Sequence, residues 1–347
     1  MSIKPTVRTR ILVPGDEAPK DDFYAERSGP EARQPLNNTA LRLAERKYKA
    51  AGADLSEAFD FSDLSKNRPE IANEIVLLGT WTCTNGTEKP VYGIKGVEGF
   101  MYVPEALTSE EQLHFMYQSF TSYAKHPNAT NLDAHYETPA EGFFHFFESQ
   151  TDLQMKKKVD GQHATFKASE IEDKIIRKIR WITLGYQYNW TTKEYNFDDV
   201  DASTIFPSDL ADWTRMAVEK LGFGPDYRPE AGIVNFYQPD DTLTGHVDRS
   251  ERNMEAPLVS LSIGRSAIFL LGGRSREDAP VRAIIVRSGD LSILSGPSRH
   301  LFHGVPKILP ESTFVVPEKT FTSFESLESC LSLFRDCRIN INVRQVI

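Results

Sequence analysis

The chain has 347 residues, enough for one large β-rich core with a helical extension or for two domains. Its 40 Lys and Arg against 49 Asp and Glu give a formal charge of -9, which excludes polyanion recognition by bulk charge and requires any nucleic-acid face to be local. Cys83, Cys330 and Cys337 show no paired spacing, which excludes a disulfide framework and fits a reducing compartment.

No apolar run is long enough to span a bilayer and the N-terminus shows no apolar signal core, so a soluble, monomeric, intracellular protein without membrane partners is expected, in nucleus or cytoplasm. Residues 1–15 carry Lys4, Arg8 and Arg10 without an acid, a mitochondrial presequence trait, but Pro5, Pro14 and the acids from Asp16 onward oppose it; the mitochondrion stays open as an alternative. Residues 1–70 are expected to form a flexible arm with one helical candidate, Thr39 to Ala51, whose apolar positions are sparse. Glu74 to Trp81 and Val97 to Val103 read as strands separated by the turn residues Asn85-Gly86. Thr108-x-x-Glu111 is a capping box that starts a helix with Leu113, Met116, Phe120 and Tyr123 near one stripe.

From Lys156 to Arg180 there are eight Lys/Arg and four Asp/Glu, either a solvated surface or half of a nucleic-acid face. The alternating stretch Tyr186-Gln187-Tyr188-Asn189-Trp190 follows, as a lid over a planar ligand could or as structural aromatics could. Phe206-Pro207-Ser208-Asp209 caps a helix running through Trp213 and Met216 to Gly222. Residues 71–230 are thus expected to be an extension and recognition lid, and 231–347 a jelly-roll core. In that core short β-rich runs recur at 231–238, 257–263, 266–271, 281–287, 291–295 and 338–346. An insertion after His303 contains a helical candidate from Ser323 to Arg335.

The chemistry concentrates in AGIVNFYQPDDTLTGHVDRS, residues 231–250. Strand pleating puts Asn235 and Tyr237 on one face. His246 and Asp248 are two apart, so extended backbone sends both to one side, where they could grip one metal; a surface turn with a hydrogen-bonded pair would look the same. His303 is a third candidate, and two His with one carboxylate is a set that leaves open positions on non-haem Fe(II). At the C-terminus Arg338, Asn340, Asn342 and Arg344 alternate with Ile339, Ile341 and Val343.

Asn235-x-Tyr237, His246-x-Asp248, His303 and Arg338-x-Asn340-x-x-x-Arg344, in that order, resemble the AlkB family of Fe(II)- and 2-oxoglutarate-dependent dioxygenases, in its homologue-one branch. The resemblance extends through Pro127-Asn128, residues 181–190, residues 206–210, residues 266–273 and Ser288-Gly289-Asp290, and so covers most of the chain from about Gly93. It implies a mainly β fold with flanking helices, a double-stranded β-helix (jelly roll) preceded by a helical extension. It further implies Fe(II) on His246, Asp248 and His303, and 2-oxoglutarate held by Arg338, Tyr237, Asn235, Asn340 and Arg344. A guanidinium fork suits the far carboxylate of such a dicarboxylate better than lysine does.

The activity implied is oxidative demethylation of bases in nucleic acid, releasing succinate, carbon dioxide and, for N-methyl groups, formaldehyde. Candidate marks are N6-methyladenine in DNA and 1-methyladenine or 5-methylcytosine in tRNA, on unpaired or single-stranded substrate. Tyr186, Tyr188, Trp190 and Ser250 are the substrate-side candidates. The founding member has a second acid where this chain has Ser250; serine offers no charge to a cationic damaged base, which favours removal of a regulatory mark over direct repair. A protein hydroxylase with the same metal centre and a non-catalytic nucleic-acid binding module are the other classes to test.

Overall fold

The computed structural model describes residues 38–189, 192–197, 206–317 and 326–347. One sheet system of twelve strands organises it. In chain order these are β1 (Ile75–Thr82), β2 (Glu88–Ile94), β3 (Val97–Val103), β4 (Ala129–Thr130), β5 (Trp181–Gly185) and β6 (Ala231–Tyr237), then β7 (Leu243–His246), β8 (Leu258–Leu271), β9 (Arg282–Val286), β10 (Leu291–Leu294), β11 (His303–Ser312) and β12 (Arg338–Arg344). The main path runs β1-β2-β3-β10-β8-β12-β6-β5-β4, with β9, β11 and β7 on a branch from β8. The helices of eight residues or more among the described residues are α1 (Ala40–Lys49), α2 (Ser109–Phe120), α3 (Ser208–Lys220) and α4 (Leu327–Phe334).

The fourteen residues of β8 make the fold a two-sheet roll. Its first half pairs with β10 and β12, and from Arg265 onward it pairs with β9 and β11, so one strand passes from the larger sheet into the smaller. Gly264 sits at that corner with φ +88°, and a Cβ there would lie 2.5 Å from the Cys337 carbonyl oxygen, so no L side chain fits the bend. The two expected runs at 257–263 and 266–271 are therefore one strand with a glycine corner.

Side chains alternate between distinct cores on either side of this strand. Ala267 and Leu271 meet Tyr102, Tyr237, Leu258, Ile284 and Ile308. On the other face, Ile268 and Leu270 meet Tyr48 of α1. The larger sheet buries Ile339, Ile341 and Val343 against Leu113, Met116 and Phe120 of α2, Leu210 and Val218 of α3, and Leu333 and Phe334 of α4. Those three β12 residues are fully buried, so the polar alternates Arg338, Asn340, Asn342 and Arg344 face the other way, toward the smaller sheet.

Two expectations are corrected. The segment from Asn38 is not an arm: Thr39 caps α1 by accepting from Arg42 N at 3.2 Å, and Leu41 and Tyr48, at i and i+7, bury completely or nearly so against the roll. Its apolar stripe is narrow, which made the helix look detached; residues 1–37 lie outside the described residues. Backbone pairing also crosses residue 230, because β5 pairs with β6 along five residues and β3 pairs with β10, so the extension and the roll share one sheet.

Candidate functional site

The smaller sheet supplies two histidines through pairing. β7 and β11 run antiparallel with His246 directly opposite His303, which sets their ring centroids 4.5 Å apart. Asp248 follows two residues beyond β7. Its carboxylate oxygens lie 3.8 Å from His246 Nε2 and 3.7 Å from His303 Nε2, and one ligand atom from each of the three residues falls within 4.8 Å of the others. His246 Nδ1 is 3.0 Å from the Thr244 carbonyl oxygen and His303 Nδ1 is 3.2 Å from that of Leu301. A carbonyl acceptor at each Nδ1 places a proton there and leaves Nε2 as the ligand atom toward the shared space. These carbonyls could not be read from sequence, because any backbone could have provided them.

Electrostatics keep the set ready for a cation. Burial pushes the Asp248 carboxyl up, but the guanidinium of Arg344, 2.8 Å away, and then His246 and His303 outweigh it and hold the group well below the usual carboxylate range. Burial, then His246, pushes His303 down to about 4, so its imidazole is neutral at ordinary pH. A carboxylate and two imidazoles facing one point form a donor set that fits a divalent transition metal.

The larger sheet supplies the second half. Along β6 and β12, Tyr237 pairs with Arg338, Asn235 with Asn340, Ile233 with Asn342 and Ala231 with Arg344, so the polar side chains form a ladder on one face. Arg338 is 2% exposed; it donates to the Arg265 carbonyl at 3.1 Å and to Ser262 Oγ at 2.9 Å. Among the described residues its Nε has no hydrogen-bond partner and no carboxylate pairs with it. Burying a guanidinium without an anion costs several kcal/mol, so this position is built for a ligand that brings a negative charge. Asn340 donates to Ser260 Oγ at 2.8 Å and accepts from Asn342 at 3.0 Å, while Arg344 also bonds the Tyr195 hydroxyl at 2.8 Å.

A cavity of about 380 Å³ is lined by His246, Asp248, Asn235, Asn342, Arg344 and Tyr188. Tyr237, Arg338 and Asn340 stand on the same two strands outside that lining.

The substrate-side candidates separate. Tyr188 lines the cavity, with its hydroxyl 3.3 Å from Ser250 Oγ, and Ser250 donates to the Lys193 carbonyl at 2.9 Å. Ser250 therefore ties the strand hairpin of Tyr188–Asn189 and Glu194–Tyr195 to the loop after Asp248. Tyr186 instead buries among Tyr195, Ala231 and Val346, so it packs rather than reaching the cavity. Trp190 lies outside the described residues. The expected basic lid is not at the site: Lys156 pairs with Glu137, Arg177 with Glu172 and Arg180 with Asp241, and none of the run lines the cavity. The cations at the cavity wall are Arg344, which the sequence had singled out, and Lys193, Arg249 and Arg276, which sequence reasoning passed over because they come singly rather than as a run.

A family model described as the 2OG-Fe(II) oxygenase superfamily matches residues 99–344. The chain is 38% identical over 274 residues to a human protein named nucleic acid dioxygenase ALKBH1, covering 74% of this chain and 66% of that one. It is 34% identical over 340 residues to an Arabidopsis thaliana protein named DNA N(6)-methyladenine demethylase ALKBH1A, covering 89% and 96%. Over 311 residues it is 35% identical to a Schizosaccharomyces pombe protein named tRNA demethylase abh1, covering 88% and 95%.

Proposed function

We propose, from the premise that this chain belongs to the 2OG-Fe(II) oxygenase superfamily and within it to the AlkB family, that it is an Fe(II)- and 2-oxoglutarate-dependent dioxygenase demethylating bases in nucleic acid. The observation that carries this reading is the convergence of His246, Asp248 and His303 on one point, joined through Arg344 at Asp248 to the polar ladder of β6 and β12 that also carries the buried, anion-seeking Arg338. When bound, iron and 2-oxoglutarate would let dioxygen hydroxylate a methyl group, one oxygen atom entering the methyl and the other the succinate that forms as carbon dioxide leaves.

Each residue has a distinct part. His246, Asp248 and His303 hold the metal. Arg338 and Tyr237 would receive the distal carboxylate of the dicarboxylate, and Asn235, Asn340 and Arg344 would stand near its keto-acid end. Arg344 also donates to Asp248, so one guanidinium would orient both a metal ligand and the cosubstrate.

Substrate recognition is assigned to the cavity. A methyl on a base edge reaches the metal only when the base leaves its stack, so unpaired nucleotides are the favoured substrate. Tyr188 offers a ring for the extruded base, and Lys193 and Arg249 offer cations for its flanking phosphates. The relatives' names support DNA N6-methyladenine and methylated tRNA alike. Ser250 is engaged with the hairpin and supplies no charge to a cationic base, which supports a regulatory mark rather than alkylation damage.

The test is incubation of the protein with Fe(II), ascorbate and 2-oxoglutarate on total tRNA and on genomic DNA, with nucleosides compared by mass spectrometry against His246→Ala. Loss of one methylated nucleoside with wild type only is the expected result. No nucleoside change together with a hydroxylated peptide from a protein extract would replace this reading with protein hydroxylation.

A further inference from the structure

The strand that carries His246 is poorly secured by its own sheet. β7 has four residues and a single neighbour, and its ladder to β11 registers only at Leu243 with Val305 and His246 with His303, with an irregularity between them. The buried N–H of Gly245, immediately before His246, finds its partner outside β11. That N–H is taken by Glu45 Oε1 of α1 at 2.6 Å, two hundred residues away in sequence. Glu45 is 6% exposed, and its other oxygen accepts from Arg42 Nη1 at 2.7 Å.

The carbonyl of the same residue, in the peptide unit that leads into His246, is also claimed. Arg276 Nη2 donates to the Gly245 carbonyl at 2.8 Å, the Arg276 carbonyl accepts from Leu41 N at 3.0 Å, and the guanidinium lies over the ring of Phe302, the residue before His303. Leu41 closes over Gly245 so tightly that a Cβ on that glycine would lie 2.5 Å from Leu41 Cδ2. A carboxylate accepting a backbone N–H makes a stronger bond than a neutral acceptor. It stands where an edge strand would otherwise meet either a further strand or water.

We propose that α1, which precedes the residues matched by the family model, is an integral part of the metal site, and that Glu45 is a positioning residue holding the His246 backbone through Gly245. The inference rests on the reading of His246, Asp248 and His303 as metal ligands. Glu45 touches neither metal nor cosubstrate; it sets where one imidazole stands.

The test uses the full chain and Mn(II) as a redox-silent probe, with affinity measured by calorimetry and the metal-induced rise in Tm measured alongside. Glu45→Ala should lose about tenfold or more in Mn(II) affinity, the range for residues that orient a ligand, while Glu45→Gln, which keeps a carbonyl acceptor, should stay within about threefold of wild type. Tyr48→Ala, which removes packing against Ile268 and Leu270 but leaves the Leu41 and Glu45 contacts that hold α1 at Gly245, should lower the metal-free Tm and leave Mn(II) affinity near wild type. If Glu45→Ala does not fold, Glu45→Asp decides, because it keeps the charge and shortens the reach by one methylene; reduced affinity in it supports the proposal. Wild-type affinity in Glu45→Ala, or in Glu45→Asp where that variant decides, would reduce Glu45 to a helix-docking residue and overturn the proposal. A wild-type protein that binds no Mn(II) would instead overturn the metal-centre reading beneath it.

Discussion

A ligand side chain and a ligand-positioning side chain have different signatures when removed. His246, Asp248 and His303 each contribute one donor atom to one point, and Asp248 also carries the charge that Arg344 neutralises. Alanine at any of the three should abolish metal-dependent succinate formation with little change in far-ultraviolet circular dichroism; near-normal succinate in two of the three would show the donor set misassigned. Asp248→Ala should be the least stable of the three in the metal-free state, because it leaves Arg344 buried with less counter-charge. Arg338 makes the same contrast on the cosubstrate side. Two of its three nitrogens are spent on Ser262 and the Arg265 carbonyl, and Nε is unused. Lysine can carry the charge but cannot hold that fork, so Arg338→Lys should weaken 2-oxoglutarate binding about tenfold, the loss of one charged hydrogen bond. Titration into the metal-substituted protein reads it directly, and unchanged affinity would place the dicarboxylate elsewhere.

At the scale of elements, the site depends on how closely β7 and β11 approach. Gly304 lies beside His303, and a Cβ on it would sit 2.9 Å from both Gly245 N and the Leu243 carbonyl oxygen, which are backbone atoms that can yield only if the strand moves. Gly304→Ala should therefore separate the two histidines, cost roughly 1–3 kcal/mol as overpacking does, and weaken Mn(II) binding. A variant with wild-type Tm and metal affinity would show that β7 shifts freely. These same two strands were the hardest to read from sequence. β6 and β12 were legible because Arg338 to Arg344 alternates without a break and because Val, Ile and aromatic residues fill Ala231 to Tyr237. β11 was hidden by Pro306 and Pro310, which ordinarily exclude a paired strand; here both fall where the register with β8 slips, in bulges that need no N–H at those positions. β7 was too short and carries Gly245, whose N–H is satisfied by a side chain from α1, a contact no local pattern announces. The residue types of the metal set could be named from their order, but the pairing of His246 with His303 is a property of the roll.

Across the whole molecule, two buried titratable groups, His303 and Asp290, set opposite responses to acid. His303 has its pKa pushed down to about 4, by burial and then by His246, whereas in the unfolded chain it titrates near its ordinary 6.5. The unfolded state takes up that proton first, so in metal-free protein stability is lost as pH falls from about 6.5 to 4, by at most about 3 kcal/mol. Asp290 behaves in the opposite sense. Burial pushes it up to about 6, although it accepts from the Tyr102 hydroxyl and from the backbone N–H groups of Glu105 and Arg287. The folded state takes up this proton first, so stability is gained as pH falls from about 6 toward 4, again by at most about 3 kcal/mol. The two contributions oppose each other over nearly the same window, while Asp248, held well below the usual range, titrates beneath it. Asp290→Asn removes the compensating half and leaves that of His303. In metal-free protein its Tm should fall more steeply than wild type between pH 6 and 4, by roughly 5–10 °C across the window at 2–4 °C per kcal/mol. The variant will be less stable at every pH, because an amide offers one acceptor oxygen where Asp290 uses two, so the slope and not the offset is the readout. Parallel Tm curves for wild type and variant would show that the two groups do not oppose each other in the fold.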